Sequence, residues 1–588
     1  MAAQEFSLVA GAEFVRVMSA HQWLPVWKFG TWRYHRSMDE FYQDAPQLGD
    51  QYADDVVLGS YLRWRLPHAM LAEIEPGLRR LGHRAATDLL ALGDAAEAEP
   101  PRHVPYDAWG RRVDEIVVSD AWRALDRAAA GEGLVATAYE RAHGALSRVH
   151  QMARLYLFHP STATYSCPLA MADGAARFLE LHGDGRTRDA FERLTSRDPA
   201  RAWTSGQWMT ERTGGSDVSR TSTVARRVDD GSFRLYGTKW FTSATTSQMA
   251  IALARIEGAP EGGRGLSVFF IELRDAHGAL RDIRVNRLKD KLGTRALPTA
   301  ELTLDGTPAL LVGGEGDGVR KISALFNVTR VYNAIAAVAG MRRALALAQD
   351  YAARRTAFGK RLIEQPLHAE TLADLDARFR ACFFLTFQVV ELMGREECGE
   401  ASEGELAMLR LLTPVAKLYT AKQAVTIASE ALEAFGGAGY IEDTGLPRLL
   451  RDAQVLPIWE GTTNVLSLDV WRAIARTDAL APWVGDVRAC MSCVKLPRLT
   501  PAVDQVLRAV EGIERYVART QDDAARERGA RRLAFTIART AAAARMIEHG
   551  AWSAARDDAD RGAVDATLRW TTKGLARDLD AAPAPDRR

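Results

Sequence analysis

The chain has 588 residues, 47% hydrophobic and 26% charged, with a formal net charge of +1. That length exceeds what a single core organises and predicts three or four domains of ordinary globular composition, while the near-zero charge argues against a global field drawing in nucleic acid or a membrane surface. Five cysteines speak against a disulfide framework, and no stretch approaches the roughly 18 uninterrupted apolar residues of a membrane span.

The start, Met1-Ala2-Ala3-Gln4-Glu5-Phe6, lacks the basic segment and apolar run of a secretory signal, so the expected location is cytoplasmic. Residues 1 to about 75 mix aromatics (Trp23, Trp27, Trp32, Tyr34, Phe41, Tyr42) with acidic turns and show no period, which predicts irregular chain and short helices lying over another surface. From about 76 to 205 apolar residues recur at helical steps, interrupted by a polar loop over Tyr106-Asp107-Ala108-Trp109-Gly110-Arg111-Arg112-Val113-Asp114 with a turn at Gly110. The period then becomes two around Phe233, Ile251, Phe269 and Leu302, predicting a β domain over 206–315. Long amphipathic helices follow at 319–353, 367–396 and 404–434, within a helical domain over 316–475. Residues 476–588 read as a further helical domain ending in a disordered tail, Ala581-Ala582-Pro583-Ala584-Pro585. Its 20 Lys and Arg against 16 Asp and Glu are a mild excess, better suited to a solvated face or subunit contact than to nucleic acid. Cys490 and Cys493 stand at metal-like spacing, but no second pair or paired histidine follows, so no metal site is expected.

Several stretches carry chemistry. Ile458-Trp459-Glu460-Gly461-Thr462-Thr463-Asn464 sets one carboxylate between apolar neighbours and a glycine turn, a setting suited to a general base. Met209-Thr210-Glu211-Arg212-Thr213-Gly214-Gly215-Ser216-Asp217 joins paired glycines, which admit close backbone approach, to flanking hydroxyls. Lys239-Trp240-Phe241-Thr242-Ser243 offers an indole beside a hydroxyl, against which a flat, polar-edged ring would pack. Arg355 and Phe358 pair a guanidinium able to hold phosphate with an aromatic ring, and Glu433-Ala434-Phe435-Gly436-Gly437 supplies another glycine pair.

FGGxGY, then Arg451-Asp452, then IWEGT, together with the other stretches in the same order, resemble the acyl-CoA dehydrogenase superfamily. The Tyr106–Arg112 loop, the doubled glycine at 214–215, the phrase Arg287-Leu288-Lys289-Asp290-Lys291-Leu292-Gly293 and the long C-terminal extension resemble its AidB-type subgroup. The resemblance implies an α+β multidomain fold: an N-terminal α-helical domain to residue 205, a middle β-barrel-like domain, a C-terminal four-helix bundle and an added helical extension. It implies FAD as cofactor and dehydrogenation of an acyl-CoA between its α and β carbons, with Glu460 as the base. Flavin contacts would come from Met209, Thr210, Gly215, Ser216, Trp240, Thr242, Thr462 and Asn464 of one subunit, and from Arg355, Phe358, Glu433, Gly436 and Gly437 of its neighbour. Ser216, Asn327, Arg330 and Gly461 would meet the acyl-CoA, with Asn327 and Arg330 toward its nucleotide end. Some relatives carry the base near position 329, where Thr329 cannot serve. A homo-oligomer built as a dimer of dimers and an acceptor such as an electron-transfer flavoprotein complete the expectation. DNA association in an alkylation-damage response, and oxidase or acyl-CoA-binding chemistry, are the alternatives that the subgroup raises.

Overall fold

The computed structural model describes residues 18–19, 22–23, 44–556, 560–576 and 579. Met18–Ser19 (β1) and Gln22–Trp23 (β2) pair antiparallel within the first 45 residues. Trp27, Trp32, Tyr34, Phe41, Tyr42 and the 581–585 tail lie outside the described residues.

Helices begin earlier than the sequence pattern suggests. Asp55 caps α1 (Val56–Arg65) through its buried carboxylate, which accepts from the Leu58 amide at 2.9 Å, and Pro67 opens α2 (His68–Ala86). After α3 (Asp88–Ala98), the stretch expected to be a polar loop is a hairpin of β3 (Arg102–Tyr106) and β4 (Arg112–Val117). Asp107 folds its turn by accepting the amides of Trp109 and Arg111, and Asp114 fastens its base by accepting from the Val285 amide at 3.1 Å. Helices α4 (Asp120–Gly131), α5 (Ala136–Glu140), α6 (Leu146–Phe158), α7 (Ser166–His182) and α8 (Arg188–Leu194) complete the N-terminal helical region.

The middle region forms a seven-stranded sheet from β5 (Ser205–Trp208), β6 (Val224–Arg227), β7 (Phe233–Ser243), β8 (Met249–Ile256), β9 (Leu266–Glu272), β10 (Ile283–Leu288) and β11 (Thr299–Val312). Because β9 pairs with both β8 and β11, the circuit β11-β7-β6-β8-β9 closes on itself as a small barrel and leaves β5 and β10 at its edges.

The short α9 (Gly318–Lys321) leads into α10 (Ser323–Arg354); a two-residue hairpin, β12 (Thr356–Ala357) and β13 (Lys360–Arg361), then turns the chain into α11 (Pro366–Glu397). A reciprocal cap starts α12 (Glu403–Ala434): Ser402 Oγ accepts the Glu405 amide, while Glu405 accepts the Ser402 amide at 2.9 Å. With α13 (Pro447–Ala453) between, α10, α11, α12 and α14 (Thr463–Thr477) pack as the bundle. Over it lie α15 (Leu480–Cys493), α16 (Thr500–Arg519), α17 (Asp523–Ala554) and α18 (Ala563–Thr572), with α17 touching α11, α12 and α14. One apolar core runs through all of these regions.

Candidate active site

Glu460 sits in the turn between α13 and α14, with φ of +55°, and Gly461 follows at +102°. Gly461 has both a conformational and a steric reason to be glycine, since a Cβ there would lie 2.9 Å from a Leu466 methyl. The turn is held from three sides. Asn333 on α10 donates to the Leu456 carbonyl at 3.2 Å, while Lys417 on α12 donates to the carbonyls of Trp459 and Gly461 at 2.6 and 2.7 Å. The half-buried carboxylate accepts the Thr329 hydroxyl at 2.7 Å on Oε2 and faces Gln207 Nε2 of β5 at 3.4 Å on Oε1. Barrel edge and bundle therefore converge on one carboxylate. Two further features keep the site tight and apolar: a side chain at Gly174 of α7 would run into Leu325 of α10, and Cys167 on α7 is buried, its thiol pushed up to about 12 by burial.

Lys417 is fully buried, and burial brings its ammonium down to about 7 against the opposing pull of Glu460, with Arg330 adding to the depression. The Arg330 guanidinium turns inward to Asp469 at 3.1 Å, shared with Arg410, and burial lowers its pKa. Asn327, one turn earlier, does line a cleft of about 510 Å³ together with Arg320, Lys321, His182 and Arg177.

In the barrel, Met209 is buried and Ser216 and Gly215 are exposed. Their loop is pinned by Glu211, which accepts from buried Lys239 at 2.7 Å and from Ser222 at 2.7 Å. The Trp240 amide donates to the Thr210 carbonyl at 3.0 Å, bringing loop and indole together. The Lys289 ammonium stands 3.5 Å from the Trp240 ring centroid and the Arg212 guanidinium 5.5 Å, so cations already flank the indole. Thr242 is buried and gives its hydroxyl hydrogen to the Ala300 carbonyl at 2.8 Å, so its side chain is left to meet a ligand as an acceptor only. Lys291 and Gly293 explain the Arg287–Gly293 phrase: Lys291 ties the carbonyls of Thr294 and Leu297, and Gly293 packs on the Arg451 backbone while the Thr294 amide donates to Asp452 at 2.6 Å.

Arg355, Phe358, Gly436 and Gly437 gather at the bundle end where α10 and α12 stop, linked by Tyr351 packing on Phe435 at 5.0 Å between ring centroids. Phe358 is 99% exposed and Tyr440 91%, and a side chain at either glycine would meet open space. Glu433 is exposed beside them; Thr462 caps α14, and Asn464 is exposed on its first turn. Sequence reasoning left out Gln207, Asn333 and Lys417. A single lysine inside the apolar stretch Leu411-Leu412-Thr413-Pro414-Val415-Ala416-Lys417-Leu418 was the available signal. Cys490 and Cys493 sit on α15, half-buried and exposed respectively, and among the described residues no group of three or more His, Cys, Asp or Glu forms a metal site.

Four family models match the chain in order: the adaptive response protein AidB N-terminal domain over 46–198, the acyl-CoA dehydrogenase middle domain over 206–307, the acyl-CoA dehydrogenase C-terminal domain over 316–475 and the acyl-CoA dehydrogenase 11 C-terminal domain-like model over 478–582. Acyl-CoA dehydrogenase family member 11 of Caenorhabditis elegans is 43% identical over 90% of this chain and 88% of its own. AidB of Escherichia coli is 35% identical over 68% of this chain and 73% of its own. The crystal structure of C. elegans ACDH-11 in complex with C11-CoA superposes with a TM-score of 0.89 at 42% identity, covering 92% of this chain and 94% of that one.

Proposed function

The chain belongs to the acyl-CoA dehydrogenase superfamily, in its AidB-type branch, and from that membership we propose that it oxidises a fatty acyl-CoA across its α and β carbons with FAD as cofactor. The observation that carries this reading is Glu460: a half-buried carboxylate in a left-handed turn, oriented by a buried hydroxyl and set where barrel and bundle meet. The residues present fit FAD. Gly436 and Gly437 keep open the space a side chain would fill, Phe358 and Tyr440 offer bare aromatic faces, and Trp240 offers an indole fastened to the Thr210 loop. FAD, when bound, supplies the hydride acceptor. Glu460 takes the α-proton on a carboxylate oxygen, and Thr329 fixes which oxygen is turned outward. The Glu460 amide donates to no acceptor among the described residues, leaving it available to a thioester oxygen as that atom gains enolate character. The cleft of Arg320, Lys321 and Asn327 is the place for the polar end of CoA, the cleft's two glutamates, Glu396 and Glu397, being paired with Arg177 and Arg148. The relative solved with C11-CoA makes a saturated chain of that length the first substrate to try.

The bare aromatics beside Arg355 support a second subunit completing the cofactor site, and hence at least a homodimer. The DNA-associated alternative draws little from the extension, where Arg488, Arg498, Arg545 and Arg569 each pair with a carboxylate rather than forming a free basic stripe. Anaerobic addition of acyl-CoAs of graded length to the flavin-loaded protein tests the reading. Bleaching of the flavin is expected, and an unreduced flavin across the series overturns it.

A further inference from the structure

We propose that Lys417 is a positioning residue for the base: by gathering the carbonyls on both sides of Glu460 onto one ammonium, it fixes the turn that aims the carboxylate. This rests on the dehydrogenase reading above. Lys417 shows no accessible surface, and the hydrogen bonds of its ammonium go to Trp459 O at 2.6 Å and Gly461 O at 2.7 Å, across a separation of 42 and 44 residues. A buried ammonium carries a desolvation cost of several kcal/mol that an apolar side chain of equal length avoids. Space filling therefore does not account for it, and its directed hydrogen bonds are what the ammonium adds. Those bonds fall on the carbonyls of the residues just before and just after a non-glycine residue at φ +55°, a conformation that L residues adopt at a cost unless their surroundings impose it.

The two ends of Glu460 are thus held by different elements. Thr329 of α10 and Gln207 of β5 engage the carboxylate, while Lys417 of α12 holds the backbone on the other side. Asn333 holds the start of the same turn at Leu456. If the clamp is released, the turn has lost what draws its two carbonyls to one side, and the carboxylate no longer has a fixed approach to the α-carbon. A displacement of about 1 Å at a reacting group is enough for a roughly hundredfold loss.

The test uses the FAD-loaded full chain and a 3-thia-acyl-CoA, whose β-sulfur carries no transferable hydride, so that α-proton removal is read alone as α-deuterium incorporation in D2O by NMR. Lys417→Met is expected to retain flavin and to bind the probe with a Kd within about threefold of wild type, while exchange per bound flavin falls about 10- to 100-fold. Exchange per flavin within twofold of wild type, even with a lowered Tm, overturns the positioning role and leaves a structural one. Should Lys417→Met not fold, Lys417→Gln, which keeps one pair of N–H donors, is read by the same criteria, with an intermediate loss expected. Wild-type protein that binds the probe but exchanges no α-proton overturns the dehydrogenase reading itself, and this inference with it.

Discussion

Thr329 Oγ1 lies 2.7 Å from Oε2 of Glu460, so a buried hydroxyl on α10 meets a carboxylate 131 residues further along the chain. A hydrogen bond to a charged group is worth about 1.5–3 kcal/mol. Thr329→Val keeps the shape and removes the donor, so flavin reduction under single-turnover conditions is expected to slow roughly 10- to 100-fold, with acyl-CoA binding preserved. An unchanged rate would mean that Thr329 packs beside the base without orienting it.

Glu460→Gln preserves size but cannot take a proton, and its single acceptor oxygen can receive Thr329 or Gln207 but not both. Loss of a positioned general base costs about 10²- to 10⁴-fold. Turnover should fall at least that far while FAD content and Tm stay near wild type, as checked by absorbance and calorimetry.

Phe358 projects from the bundle end with 99% of its surface exposed. Phe358→Ala should lower FAD retention and shift the protein toward smaller species in sedimentation velocity, both at once. Loss of neither would remove the subunit contact from the proposal.

Asp469 faces two guanidiniums, at 3.1 Å from Arg330 and 2.6 Å from Arg410. Burial alone would raise its carboxyl, but the Arg410 hydrogen bond and the Arg330 charge hold it below the usual range. Removing one partner of such a pair costs about 3–5 kcal/mol. Asp469→Leu should therefore lower the denaturant midpoint markedly, more than the double variant that also replaces Arg330 with Met.

Three histidines withdrawn from solvent set an acid limit. Burial brings His159 and His549 down to about 4, and burial with the Arg154 charge brings His150 down to about 3, from an ordinary 6.5. As the pH falls below 6.5 the unfolded chain takes up these protons before the folded one does, so stability is lost between pH 6.5 and about 3 and levels off below. His159 and His549 each contribute at most about 3 kcal/mol to that loss. Unfolding free energies at pH 7, 5.5 and 4.5 measure the slope, and His549→Gln should flatten it.

The long bundle helices could be read from sequence because their ends carry their own signals: the Ser402–Glu405 cap, Pro366 at the first turn of α11, and glycines after α12. The hairpin at 102–117 could not, because its strands are short and Asp107, a turn residue, looks the same in a loop. Glu460 stood out through local neighbours, but what holds it did not. Gln207 is 253 residues away, and Lys417 shows only as a lone lysine in an apolar stretch, with no sign of its partners until the fold buries it. The direction in which Arg330 turns is hidden for the same reason. Its partner Asp469 sits on another helix, and an arginine at the start of a helix gives no sign of which way it turns.

Ser60 on α1 and His549 on α17 meet at 2.9 Å, both buried, at a sequence separation of 489 residues. At about 5–20 residues per second, a ribosome needs roughly 25–100 s to make the intervening chain. For that interval the α1 face that later packs Trp64 against His549 and Trp552 lacks those partners, and its only earlier aromatic cover among the described contacts is α11, through Phe384 against Trp64. The nascent protein must carry part of that aromatic surface open until α17 emerges, and a stall before α17 leaves a product whose N-terminal helices are complete but only partly sealed.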